Sequence, residues 1–173
     1  MRKDTRVFEA NPQGSGAFGD LPEWDLSDLY ASEDAPELHA DLKQLEKFCS
    51  DFSDDYDGKL AQLTADEMLK AVERYEAIDT IAGRIMSFAG LRYYQLTSDP
   101  ERAKFMSDMQ DKLTEHTTKL VFYGLEFNRL DEKTLSNLLS QNDALARYKP
   151  VFDRMRAMKP YQLSDEMEKF LHD

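Results

Sequence analysis

Apolar residues recur along the chain every three to four positions, in long runs separated by short polar breaks, and that spacing predicts helices. Leu38, Leu42, Leu45, Cys49, Phe52 and Tyr56 alternate steps of four and three, the seam of an antiparallel helix pair. This helix is expected to start near Asp34, with Pro36 in its first turn and Glu37 completing an acidic capping box, and to stop at Gly58. Thr64 and Glu67 form a regular capping box for a second helix. Its stripe of Leu69, Val72, Tyr75, Ile78, Ala82, Ile85, Ala89 and Tyr93 runs to about Leu96. Gly83 and Gly90 lie inside it on one face, marking either close helix approach or a soft point.

Ser98, Pro100 and Glu101 announce a third helix, striped by Phe105, Met109, Leu113, His116, Leu120, Tyr123 and Phe127. A short helix with Leu135, Leu138 and Leu139 follows from Asp131. Another covers roughly 145–158, with a bend expected at Pro150, whose ring removes an internal hydrogen bond. Ser164 starts a last helix with Met167, Phe170 and Leu171 on its apolar face. No stretch shows the two-residue alternation of a strand. The pattern therefore predicts an all-α fold, an up-and-down array of long antiparallel amphipathic helices.

Residues 1–20 hold Pro12, Gly14, Ser15, Gly16 and Gly19 without periodicity and read as a flexible N-terminal arm. Residues 21–173 read as one helical domain, truncated at its C-terminal end because the last helix has an unfinished apolar face. Trp24, Leu26, Leu29 and Tyr30 are expected to anchor the arm by packing into the domain.

Composition narrows the function classes. A net charge of −12 argues against nucleic acid, which needs a cationic footprint. No apolar run approaches the ~18 residues of a membrane span, and no signal peptide is visible. A single cysteine excludes an internal disulfide and fits a cytoplasmic setting. Arg147, Lys149, Arg154, Arg156 and Lys159 form a local basic cluster, expected to pair with neighbouring acidic helices rather than to grip a partner.

The residue inventory supplies no catalytic centre and no cofactor or metal site. A helix-borne zinc site needs two histidines four apart, whereas His39, His116 and His172 are widely separated. His116 is expected to be a buried histidine bonded to a neighbouring helix. The acidic stretch from Ser53 to Gly58 resembles the start of a calcium loop but lacks an acid at the first position and a glutamate at the twelfth, Thr64. Cys49, without a basic neighbour, reads as inert core, as do Met106, Met109, Met155, Met158 and Met167. Arg92 beside Tyr93 and Tyr94 offers directed donors for a peptide backbone or carboxylate; the alternative is an Arg92 paired with an acid on a neighbouring helix.

Several segments occur in an order that resembles a known family. They are Trp24-Asp25-Leu26-Ser27-Asp28-Leu29-Tyr30, Ala89-Gly90-Leu91-Arg92-Tyr93-Tyr94, Thr97-Ser98-Asp99-Pro100, and the run from Arg156 to Glu168 through Lys159-Pro160-Tyr161-Gln162-Leu163-Ser164. From about Leu21 to Asp173 the chain resembles the N-terminal region of oligoendopeptidase F, a thimet-oligopeptidase-like zinc metallopeptidase family. Tyr161 departs from the pattern, since many members carry His there. The resemblance implies a helical N-terminal domain forming one wall of a channel for oligopeptide substrates, inactive alone. It also implies a partner in its own C-terminal catalytic domain, where zinc and the family's His-Glu-x-x-His motif would reside. A stand-alone helical protein-interaction module is the alternative.

Overall fold

The computed structural model describes residues 23–172, so the arm expected at 1–20 lies outside the described residues. In chain order the helices are α1 (Pro36–Tyr56), α2 (Ala65–Gln95), α3 (Pro100–Thr117), α4 (Val121–Arg129), α5 (Glu132–Gln141), α6 (Asp143–Ala146), α7 (Lys149–Ala157) and α8 (Asp165–His172). Among the described residues there is no strand, and the all-α expectation holds.

α1, α2 and α3 run antiparallel in succession. Arg74 in the first third of α2 meets Asp55 at the end of α1, while Arg84, farther along, meets Asp41 near its start. Phe88 then packs edge-on against Phe105 of α3. The predicted seam of α1 is buried at Leu38, Leu45, Cys49, Phe52 and Tyr56. Phe52 is its hub, with the rings of Tyr56, Tyr75, Phe122 and Tyr123 all within 5.9 Å.

The helix starts show which capping readings hold. Thr64 and Glu67 form the reciprocal box expected of them. α2 continues unbroken through Gly83 and Gly90, about 46 Å at 1.5 Å per residue. A Cβ at Gly83 would meet nothing, so no helix approaches closely there. α1 departs from expectation: its N-cap is Ala35 without a side-chain cap, so Asp34 and Glu37 form no box. Pro36 suffices as the opening residue, because its missing N–H would be unpaired in the first turn anyway. For α3 the cap is Asp99, not Ser98; its carboxylate accepts from the N–H groups of Glu101 and Arg102.

The stripe read as one helix from Phe105 to Phe127 is divided between α3 and α4. Thr117 and Thr118 hydroxyls donate to the Leu113 and Thr114 carbonyls, and a tight 3-10 turn over Thr118–Leu120 follows. Hydroxyls bonded back to the preceding turn commonly bend helices. The redirected α4 is buried at Phe122, Tyr123, Leu125, Phe127 and Asn128, so it enters the core rather than lying on it. Nor does Pro150 bend a helix: α6 ends at Ala146, and Pro150 sits in the first turn of α7.

Gly58, at φ +76°, reverses the chain after α1 in the left-handed region that glycine adopts freely. From α4, Glu126 reaches across to this turn, accepting from the N–H of Gly58 at 2.6 Å and of Leu60 at 3.2 Å.

Before α1, residues 24–35 form a strap along α2. Tyr30 is buried against Phe88, and its hydroxyl donates to Asp41 at 2.6 Å. Arg84 lies over the Tyr30 ring at 4.4 Å and donates to the Leu29 carbonyl. Trp24 is not the packed anchor expected: its side chain is 58% exposed, and Gln95 instead holds its backbone carbonyl at 2.8 Å.

Candidate functional site

Of the concave regions among the described residues, two bear on the candidate site. The first, about 520 Å³, lies between α2, α4 and the segment 158–172. Ile78 and Ala82 of α2, Leu120 just before α4 and Leu125 within it supply apolar walls, joined by Met158 and Leu163 from the segment 158–172. Gly124 leaves the lining bare, since a Cβ there would meet nothing within 4 Å. This size and apolar character suit a small ligand or a few side chains.

Polar groups enter that cleft from three directions. Asn128 is only 8% exposed; its Nδ2 donates to Gln162 Oε1 at 3.0 Å, while its Oδ1 is buried without a hydrogen-bond partner. Asp79 contributes an exposed carboxylate from α2 that has no ion-pair partner among the described residues. Glu168 and His172 come from α8. Glu168 accepts from the Leu163 N–H at 2.7 Å, and His172 Nε2 stands 3.4 Å from Thr117 Oγ1. Burial and the charge of Asp79 raise the Tyr75 phenol on the wall above its ordinary value. The phenol therefore stays protonated at neutral pH and can act there only as a neutral group.

α8 is mounted with its polar side inward. Asp165 is engaged by Arg129 and Glu168 by the Leu163 N–H, whereas Phe170 and Leu171 face outward, Phe170 at 74% exposure. Tyr161, Leu163 and Met158 continue the exposed apolar surface. Met158 and Met167, expected in the core, are therefore at the surface; of the five methionines read as core, Met109 is buried.

The second cleft, about 510 Å³, lies between the strap, the end of α2 and the start of α3. Arg92 lines it, bonded to Glu33 through Nε at 3.0 Å and to Gln95 through Nη1 at 3.1 Å. Arg92 is thus paired with an acid, as the alternative reading held, though one on the strap rather than on a helix. Tyr94 is exposed and Tyr93 half-buried, their rings 5.4 Å apart. The structure brings Arg92 into a cleft and leaves the Tyr94 ring outside its lining.

Other candidate chemistry resolves into packing. Burial pushes the Cys49 thiol up to about 11, against a smaller downward pull from Lys119, a basic neighbour absent from the local sequence. His116 is half-buried and has no hydrogen-bond partner among the described residues, so the expected bond to a neighbouring helix is not made. In the basic cluster Lys149 pairs with Asp153 on its own helix and Arg156 with Glu132. Among the described residues no group of three or more His, Cys, Asp or Glu could hold a metal ion. No described helix is long and apolar enough to cross a membrane.

Sequence reasoning missed Asn128, Gly124 and Asp79. Asn128 and Gly124 sit in what reads as one continuous core stripe, and only the redirection of α4 sets them beside α2. Asp79 belongs to the polar face of α2, where nothing local distinguishes it from other carboxylates.

The chain thus carries an apolar cleft beside a helix whose apolar side chains face outward. Residues 126–173, which hold one side of that cleft and all of α8, match the family model described as Oligopeptidase F. Over 155 residues the chain is 23% identical to "Oligoendopeptidase F, plasmid" of Lactococcus lactis subsp. cremoris, covering 88% of this chain and 25% of that protein. It is also 23% identical over 148 residues to "Oligoendopeptidase F homolog" of Lactococcus lactis subsp. lactis (strain IL1403), covering 86% of this chain and 24% of that protein. No solved structure matches the chain. These matches support an N-terminal region of the oligoendopeptidase F type. The chain spans about a quarter of the length of the curated relatives it matches.

Proposed function

We propose that the chain is the N-terminal helical domain of an oligoendopeptidase F-like zinc metallopeptidase and forms a wall of its oligopeptide channel. Residues 21–173 act as this one domain. The observation that carries the reading is the outward apolar surface of α8 and the preceding segment, within the region that matches the family model. Contiguous exposed apolar surface of this kind marks an interaction site. Its occupant is the domain's own C-terminal catalytic part, and the clefts flanking α2 face the channel between them. Zinc and its water-activating chemistry belong to that catalytic part. In this chain Arg92, Tyr93 and Tyr94 serve as peptide contacts at the end of α2, with Glu33 and Gln95 fixing the guanidinium.

The test is hydrolysis of a quenched fluorescent peptide. The purified chain with added zinc is expected to give no turnover and no more than nonspecific zinc binding. Robust turnover abolished by a chelator would overturn the assignment.

A further inference from the structure

We propose that the cleft between α2, α4 and residues 158–172 binds the amino end of an oligopeptide, seating a bulky apolar side chain over Gly124. This rests on the channel-wall reading and adds to it a subsite and a polarity. Three observations converge on it. The cavity, about 520 Å³, is walled by Ile78, Leu120, Leu125 and Leu163, and its lining is open at Gly124, where a Cβ would meet nothing within 4 Å. An apolar side chain fits such a space, and an apolar wall left to water is the ordinary driving force for filling it.

The second observation is the unpartnered Oδ1 of Asn128. A buried amide oxygen without a donor is uncommon and unfavourable, so this position favours the arrival of an N–H. Gln162, which accepts from the Nδ2 of the same amide and is itself half-buried, is its neighbour in the cleft lining. A peptide N–H reaches Oδ1 when the Gln162 side chain gives way.

The third observation is the sign of the rim. Asp79 projects a carboxylate with no ion-pair partner among the described residues, and Glu168 adds a second on the facing side. His172 is the nearest cationic candidate in the lining, and it is engaged with Thr117. A free α-ammonium complements this rim, whereas a peptide carboxylate is repelled by it.

The experiment is amide chemical-shift titration of the chain with the tetrapeptide Leu-Phe-Gly-Gly carrying a free amine, and with its N-acetylated form. The free amine is expected to give saturable shifts in 120–128 and 158–172, and acetylation to weaken binding at least five-fold. Gly124→Leu, which places a side chain in the cleft, should weaken the free peptide at least ten-fold without lowering the melting temperature. Asp79→Asn, an exposed change, should weaken the free peptide and leave the acetylated one unchanged. Absence of saturable shifts at millimolar peptide, or equal binding of both forms, would overturn the proposal. So would unchanged affinity in a folded Gly124→Leu chain. None of these outcomes alters the expected inactivity of the chain with zinc, so failure here is distinguishable from failure of the channel-wall reading.

Discussion

The Glu126 carboxylate accepts the backbone N–H of Gly58 at 2.6 Å, sixty-eight residues away in sequence, and its second oxygen accepts that of Leu60. One side chain of α4 thereby pairs two N–H groups of the turn that joins α1 to α2. The Leu60 N–H is part-buried and needs such a partner, whereas the exposed Gly58 N–H otherwise bonds to water. Charge-assisted bonds of this kind contribute about 2 kcal/mol, and more is lost when a donor is left buried and unpaired. Glu126→Ala is therefore expected to lower stability by about 2 kcal/mol. Glu126→Gln, which keeps one acceptor, should cost less. Urea unfolding of the three proteins measures this, and an unchanged midpoint in the alanine variant would remove Glu126 from the fold's main contacts.

Two helix caps give the protein an acid limit. Hydrogen bonds from the Thr64 backbone and hydroxyl hold the Glu67 carboxyl below its ordinary 4.5. The Thr134 hydroxyl and backbone N–H likewise hold Asp131 below its ordinary 3.8. A carboxylate whose folded pKa is depressed contributes stability that is complete above the unfolded value and lost as pH falls through the folded one. Stability should thus be flat in these groups near neutrality and decline below about pH 4.5, the ordinary glutamate value. Protonation elsewhere relieves repulsion in a chain of net charge −12 and acts in the opposite sense. The informative comparison is therefore with Glu67→Gln combined with Asp131→Asn. The gap between wild type and this variant, read by urea titration, is expected to be widest at neutral pH and to close as the pH drops. A gap independent of pH would contradict the assignment.

The cap that sequence alone identified, Thr64 with Glu67, depends on residues three apart, so local spacing contains the whole interaction. The α1 and α2 stripes were legible for the same reason. The break after Thr117 was not, because apolar periodicity continues through it and only the back-bonded threonines redirect the chain. The cleft depends on that redirection, which brings Gly124 and Asn128 beside Ile78, so a continuous stripe conceals it. The exposure of Trp24 and Met158 has a different origin. Apolar character sets which residues favour burial, but not which have a partner within these residues.

The strap before α1 depends on one side chain more than on any other. Arg84 donates to the Leu29 carbonyl, pairs with Asp41 at 3.2 Å and covers the Tyr30 ring. Partly exposed ion pairs contribute little singly, about 0–1 kcal/mol, and the cation–π contact about as much again. Arg84→Ala should therefore lower global stability by only about 1–2 kcal/mol. Its larger effect is expected to be local, since the remaining tethers of the strap are Tyr30 burial and the Arg92 and Gln95 bonds. Limited proteolysis should cut between residues 24 and 33 several times faster in the variant. Hydrogen exchange in α2 beyond that contact should be little changed. Equal proteolysis rates would show that Tyr30, Arg92 and Gln95 fix the strap without Arg84.

The outward face of α8 predicts how the chain behaves in solution without a covering partner. Tyr161, Leu163, Phe170 and Leu171 are each at least half exposed and adjacent along one short segment, while Asp165 ties the helix to Arg129 of α4. Apolar area removed from water contributes about 25 cal/mol per Å², and Phe or Tyr side chains each carry about 150–250 Å². That is enough to favour weak pairing of chains through this face, opposed by the repulsion of two bodies of net charge −12. Sedimentation should therefore show concentration-dependent association that strengthens with salt, because salt screens the repulsion without weakening the apolar contact. Phe170→Glu with Leu171→Glu should abolish it and leave the helical circular dichroism largely intact, since neither side chain is buried in the body. Association that weakens with salt, or survives the double substitution, would place the contact elsewhere.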